Sequence, residues 1–565
     1  MVNVKNLFGM AVMATALVGC SSNDNLAPDG KDNAGKPGEA YASFKINLPT
    51  TNGTRAGEPE FNGGEASEYA VNDATLLVFK KDGADYRFQE SVELGNMEPW
   101  TKKDPANGGI TTTAKLTAKI NNAEVGENKG YYALIVLNNN GNKITYPTTG
   151  QLYSVWSKDA GNATAANYLK YDKGFFMANA PKYVAGAPET LVEIKNIYAS
   201  KQQAENSTAT TVYVERGLAK VSLASSSVKH VDIIHGNYAG DKVDIEGWTL
   251  DVTNTKTYPV HVTEGEGLWA DTWKTTATTA ATNGATMDRF HDTKPTSEFP
   301  RVYWGLDPNY STDFATVDAC EGEFTMAKKS DFKTGEEAKK AQYCLENTFD
   351  INHMVQGQTT RVLFSAKYTP NGFAAGETFY KFGNSPKLWH FADVVAQIKA
   401  KAEEVLGAEV TVTLDATDND MTKSGVRLVE AANITCGTTA LTPEKVDQIN
   451  AKLGLKKATE TDAAVGLSTY ESGVSYYVAR VKHFNELTPW LPGNKTYDGN
   501  NANWLGRYGV LRNNWYELSV NSVSGPGYPD IPKVNPTDPD DENKQYINVE
   551  VKILDWAKRS QSIEL

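Results

Sequence analysis

Residues 42–48 alternate in character. Ala42, Phe44, Ile46 and Leu48 fall on one side and Ser43, Lys45 and Asn47 on the other, which predicts a half-buried strand. The breaker-rich loop PTTNGTRAGEPEFNGGE follows it, with Arg55 among small residues. From about residue 70, short apolar runs alternate with turn signals. ATLLVFKKDGADYRF predicts strand, Asp-Gly turn, strand, and YYALIVLNNNG predicts a central strand closed by Asn-Gly. KGFFMANA and TTVYVERGLAKVSL add strands, and the later chain repeats the pattern in VDIIHG, GWTLDVT, RVLFSAKY, VTVTL, SYYVARVKHF and NNWYELSVNSV. Two helices stand apart. One carries Phe391, Val394, Val395 and Ile398 at helical spacing and stops at Gly407. The other has Thr442 as N-cap, Pro443 at its first position and Gly454 past its end. A second clean alternation closes the chain: Ile547, Val549, Val551 and Ile553 against Asn548, Glu550 and Lys552. The Pro- and acid-rich stretch before it predicts an extended, solvated linker, because proline cannot donate to a ladder.

Composition sharpens this picture modestly. With 565 residues, 40% hydrophobic and 22% charged, the chain is long enough for two or more globular domains. Its net charge of −13 argues against binding nucleic acid through phosphates, which needs a basic face. No apolar run reaches the length of a membrane-spanning helix. The apolar stretch LFGMAVMATALVG behind Lys5 is a targeting segment. It ends in LVGC, similar to a bacterial lipobox, which makes Cys20 the lipidated residue and places the protein outside the reducing cytoplasm. Cys320, Cys344 and Cys436 remain. A Cys320–Cys344 bridge and buried free thiols are both open readings.

Little in the chain points to catalytic chemistry. There is no H-E-x-x-H, G-x-x-x-x-G-K, C-x-x-C or G-x-S-x-G. DATDNDMTKSG lacks the glycine and glutamate of a calcium loop, and His230 and His235 lack zinc spacing. No cofactor, metal site or catalytic residue is expected.

Several stretches together carry a family likeness: LVGC, TRAG, YYALIVLNN, KGFFMANA, VERGLAKVSL, YWGLDPNY, YCLENTFDINHMVQGQTTRVLFSAKY, GRYGVLRNNWYELSVNSVSGPGYP and YINVEVKILDW. In order and content they resemble the fimbrial shaft subunits, or fimbrillins, of Bacteroidales, most of all the Mfa-type minor-fimbrium subunit of Porphyromonas. The resemblance implies a mainly β chain with two transthyretin-like β-sandwich domains and a few inserted helices. It divides the chain into a lipoprotein signal peptide (1–20), a propeptide with a removable strand (21–55), an N-terminal sandwich (56–215), a C-terminal sandwich (216–531), a linker (532–545) and a donor strand (546–565).

The same resemblance implies a non-enzymatic structural protein. An arginine-specific protease would cut between Arg55 and Ala56, releasing the strand of Phe44, Ile46 and Leu48 together with the transient lipid anchor. The donor residues Ile547, Val549, Val551, Ile553 and Trp556 of one subunit would then fill the groove of the next, head to tail. The linker from Pro532 to Asn543, fully extended, would reach about 40 Å. Expected partners are identical subunits, accessory tip and anchor fimbrillins, and host or bacterial surface receptors, with the assembled protein in a surface fimbria that supports adhesion. Other readings stay open. Read alone, Arg55 is a solvated loop residue, and the last strand closes its own domain with Leu554 and Trp556 in the core. A tip or anchor subunit would lack the donor tail or the cleavable loop. A glycan-binding lipoprotein would use aromatics such as those of WLPGNKTYDGNNANWLGRYG.

Overall fold

In a computed structural model of the chain, the described residues are 39–49, 65–95, 101–102, 110–121, 123–184, 187–224, 230–263, 299–310, 316–349, 353–416, 427–437, 441–457, 464–483, 508–536, 538–540, 547–554 and 559–560. The fold is mainly β, as the alternating patterns predict. Its first sheet uses β1 (Glu39–Pro49), β2 (Ala74–Asp82), β3 (Asp85–Glu93), β4 (Ile110–Asn121), β5 (Tyr131–Leu137), β6 (Met177–Asn179) and β7 (Thr210–Arg216) in the order β3-β2-β5-β6-β7-β1-β4. Asp82 and Asp85 pair across the tight turn at Gly83, as the Asp-Gly signal predicts. The sheet folds around one core that includes Phe44, Ile46, Leu76, Phe79, Ile135 and Val214.

β7 changes layers along its length. Its first half runs parallel to β1, Phe44 opposite Thr210 and Ile46 opposite Val212. Its second half runs antiparallel to β6, Val214 opposite Asn179. The chain then passes Gly217 into β8 (Leu218–Leu223), the first strand of a second body. A Cβ at Gly217 would stand 2.6 Å from the Tyr168 ring, so the hand-over needs glycine.

That second body is a sandwich. β9 (His230–Asp232), β10 (Lys242–Asp251), β12 (Arg361–Thr369) and β13 (Val474–Arg480) form one layer. β11 (Gln342–Leu345), β8, β14 (Trp515–Val523), β15 (Ile547–Leu554) and β16 (Arg559–Ser560) form the other, in that order. Trp248, Phe364, Tyr477, Tyr516 and Leu518 fill the space between them. The short helix α1 (Ala66–Tyr69) and α2 (Lys201–Glu205) belong to the first body. The two helices expected from periodicity are present as α3 (Phe391–Leu406) and α4 (Pro443–Lys452). Gly407 ends α3 with φ 68°, and both helices pack on an annex core through Val394, Ile398 and Ile449. VTVTL and VDIIHG form only short strands, Thr411–Val412 and β9.

One expectation is corrected here and one open reading is settled. The Pro/Asp-rich stretch is docked rather than free over its described part, although Lys533, Asn535 and Asp538 stay exposed. Pro532 accepts from Arg361 Nη2 at 2.5 Å, Gln356 N donates to Asp538 O, Asp540 N donates to Met354 O, and Val534 and Asp540 are buried. Proline removes donors but leaves carbonyls, and these dock the segment. Gly357 admits it: a Cβ there would lie 3.1 Å from Pro536 Cα. The open question about the cysteines is also resolved: Cys320, Cys344 and Cys436 are all buried thiols outside any disulfide. Burial pushes the Cys344 thiol up to about 12 and, with Glu321 nearby, Cys320 up to about 11. The chain from residue 21 should therefore give almost no Ellman reaction at pH 8 until denatured. Rapid reaction of the native chain would contradict this packing.

Candidate functional site

The strand expected to be removable lies in the middle of the first sheet. β1 is bounded by β4, antiparallel from Glu39 opposite Asn121 to Leu48 opposite Thr112, and by β7 on its other side. Ala40, Ala42, Phe44, Ile46 and Leu48 are fully buried. The expected polar face is closed at Ser43 and Asn47 and only partly open at Lys45, which corrects the half-buried reading. Ser43 is buried because its Oγ donates to Ala204 O of α2 at 2.6 Å and lies 2.7 Å from Thr117 Oγ1. Asn47 is buried and accepts from Thr113 Oγ1 at 2.7 Å. Taking β1 away would open a slot between β4 and β7, with a row of unpaired backbone groups on each wall and the apolar core as its floor.

The terminal strand occupies the opposite kind of position. β15 pairs antiparallel with β14 of its own chain, and beyond it lies only the two-residue β16. Ile547, Val549, Val551 and Ile553 stand opposite Val523, Val520, Leu518 and Tyr516, four buried residues of the sandwich core. In the isolated chain, then, this strand does pair within its own sheet, with only the two-residue β16 between it and the edge. Cys20, Arg55, Ala56 and Trp556 lie outside the described residues, as do DATDNDMTKSG from residue 417 and most of the Trp/Tyr-rich stretch from residue 490.

Between the two bodies lies a buried charged cluster that sequence reasoning missed. Glu215, at the end of β7, pairs with His261 Nδ1 at 2.6 Å and Arg301 Nη2 at 2.6 Å. Arg301 also donates to the Arg512 carbonyl, and Arg512 pairs with Glu346. Next to Glu215, Arg216 donates to Glu68 O at 2.7 Å and to Asn513 Oδ1 at 3.0 Å. The Glu68 carboxylate takes Lys220 at 2.7 Å and the Tyr343 hydroxyl. Burial pushes the Glu215 carboxyl up, but Arg301 and His261 more than offset it and hold it at about 2. VERG, YCLENT and LRNNWYEL each send charged residues here, so the motifs converge in space. No local pattern marked His261, Arg301 or Glu68. These groups are paired and closed off from solvent, an arrangement that locks two bodies together.

Residues 468–562, which include β14 and β15, match the C-terminal family of the major fimbrial subunit protein type IV, fimbrillin. This likeness to fimbrillin is confined to the C-terminal part of the chain. No curated protein matches the chain. Among solved structures, two candidate cell adhesion proteins of Parabacteroides distasonis ATCC 8503 resemble it distantly. One has 9% identity over 92% of this chain and 98% of that one, with a TM-score of 0.39. The other has 12% identity over 92% and 100%, with a TM-score of 0.36. A fimbrial assembly protein of the same organism has 12% identity over 62% and 96%, with a TM-score of 0.27.

The open cavity of about 360 Å³ near Tyr146 and Trp156 is polar, and much of its lining serves the loop itself. Trp156 Nε1 and Asn162 Nδ2 both donate to Thr145 O, and Gln151 Oε1 accepts from Thr148 N. Among the described residues no cluster of three or more metal-ligating side chains exists.

Proposed function

We propose that the chain is a non-enzymatic shaft subunit of a surface fimbria of the Mfa type, exported as a lipoprotein on Cys20, freed by cleavage between Arg55 and Ala56, and polymerised by exchange of β1 for the terminal strand of another copy. The observation that carries this reading is the contrast between the two strands. β1 is central, fully buried on its apolar side, and joined to the rest of the chain through the loop that holds Arg55. β15 has beyond it only the two-residue β16 that follows it in the chain, so the two can leave together without splitting a sheet. The fimbrillin match over the part of the chain that includes β15 supports the assignment.

In a filament, the terminal strand would leave β14 and enter the slot between β4 and β7 of the next copy. Burying each large apolar side chain there would contribute about 1.5–3 kcal/mol, and each ladder hydrogen bond about 0.5–1.5 kcal/mol. A head-to-tail joint of this kind does not close on itself and grows as a fibre. Because the chain stays docked to Asp540, the free tether is shorter than the sequence suggests. Six residues fully extended would reach about 20 Å, so in this joint the neighbour's slot would open within about that distance of Asp540. Tip and anchor fimbrillins and surface receptors would complete the assembly and give it its adhesive role.

Val551→Asp tests the donor assignment. A carboxylate in the apolar slot should abolish filaments after protease treatment, while the monomer keeps a cooperative thermal transition. Filaments at wild-type yield from this variant, read by negative-stain microscopy, would remove the terminal strand from the mechanism.

A further inference from the structure

Resting on the exchange reading above, we propose that the slot accepts the incoming strand in one register, with the incoming copy's Glu550 directly opposite Lys115 of β4. Lys45 is the Cα partner of Lys115 across the β1–β4 pair, so the resident strand sets like charges face to face. Charges of one sign directly opposite each other weaken an antiparallel pair. Neither lysine has a carboxylate partner among the described residues. Lys115 donates instead to the carbonyl of Glu205, the last residue of α2, at 3.0 Å. Further along β4, Lys119 is neutralised at 2.8 Å by Glu39, which lies on β1 itself. Departure of β1 therefore removes the acid and leaves Lys115 and Lys119 on the wall of the slot.

The incoming strand has the complementary pattern. Its four apolar positions, 547, 549, 551 and 553, are centred on Glu550. β1 has five buried apolar positions, and the four that include its large side chains and run to the loop, 42, 44, 46 and 48, are centred on Lys45. Laying four on four puts Glu550 at the place of Lys45 whichever way the incoming strand runs. A slip of one residue turns the apolar side out of the core. A slip of two towards Ala40 still finds four buried positions and a slip the other way leaves one apolar residue beyond Leu48, but either brings Asn548 or Lys552 opposite Lys115, losing the pair or restoring the clash. Opposite Lys115 the resident strand is thus electrostatically the poorer occupant, and the same lysine that disfavours it there selects the register of its replacement.

The test uses the chain from residue 21, treated with an arginine-specific protease. Lys115→Glu and Glu550→Lys should each slow filament growth about fivefold, and the double exchange should restore it. In a second arm, Lys115→Cys is combined with a cysteine at 548, 550 or 552 and oxidised. Covalent ladders should form with Glu550→Cys and far less with the other two. If the wild-type chain grows filaments and Val551→Asp does not, but both single charge variants grow normally or ladders peak at 548 or 552, the register is overturned and exchange stands. If the cleaved wild-type chain forms no filaments, both readings fall.

Discussion

Arg55→Ala should leave the chain uncut by an arginine-specific protease at this loop and should abolish filament growth. The reason is competition. While the loop is intact, β1 is an intramolecular occupant of its slot, at an effective concentration that a separate copy's strand cannot match. β1 is held along both edges, by β4 and β7, and its Phe44, Ile46 and Leu48 are fully buried. Each time it frays, it is the nearest strand available to return. Cleavage leaves those contacts intact but makes their loss irreversible, because the released peptide dilutes into solvent. The expected result is therefore an uncut monomer at every protein concentration, against a wild-type product with a new N-terminus at Ala56 and a filament ladder. N-terminal sequencing and negative-stain microscopy of the same samples decide it. Filaments of uncut Arg55→Ala chain at wild-type yield would show that β1 is not the gate.

The sequence carried β1 as a strand but not its surroundings. Strict alternation over residues 42–48 locates the strand and its apolar face. Nothing local shows that Ser43 and Asn47 are buried as well, because α2 comes from far along the chain and offers Ser43 a backbone carbonyl. A polar residue satisfied in this way looks, in sequence, the same as one facing water. The Pro/Asp stretch misled for a related reason: composition reports the side chains, whereas the docking of 532–540 is carried largely by backbone groups. The helices were legible because their stop signals are local, Gly407 above all. The charged cluster was illegible because burial of Glu215, Arg301 and Arg512 depends on which strands meet, and a buried arginine has no signature in its neighbours.

That cluster leads to the second large effect. Glu215→Ala should destabilise the chain by about 3–5 kcal/mol at pH 7, because it leaves Arg301 and His261 buried and uncompensated. The pH dependence has a definite sign. Glu215 is held at about 2, below the ordinary 4.5, so its stabilising contribution is fully present above 4.5 and drains away as pH falls from there towards 2. The variant should lose that part of the acid sensitivity, and its stability should lie nearest the wild type's at the acid end. The position of Glu215 also matters for assembly. It and Arg216 end the same strand whose first half, Thr210 to Tyr213, walls the slot beside β1. Fixing that end to Arg301, His261, Glu68 and Asn513 keeps the wall in place when its neighbour departs. Glu215→Ala should therefore lose filament yield even under conditions where the uncut monomer is still folded. Urea unfolding across the acid range, paired with filament yield after cleavage, measures both. A stability change below about 1 kcal/mol would mean that the ion pairs of Glu215 do not hold the two bodies together.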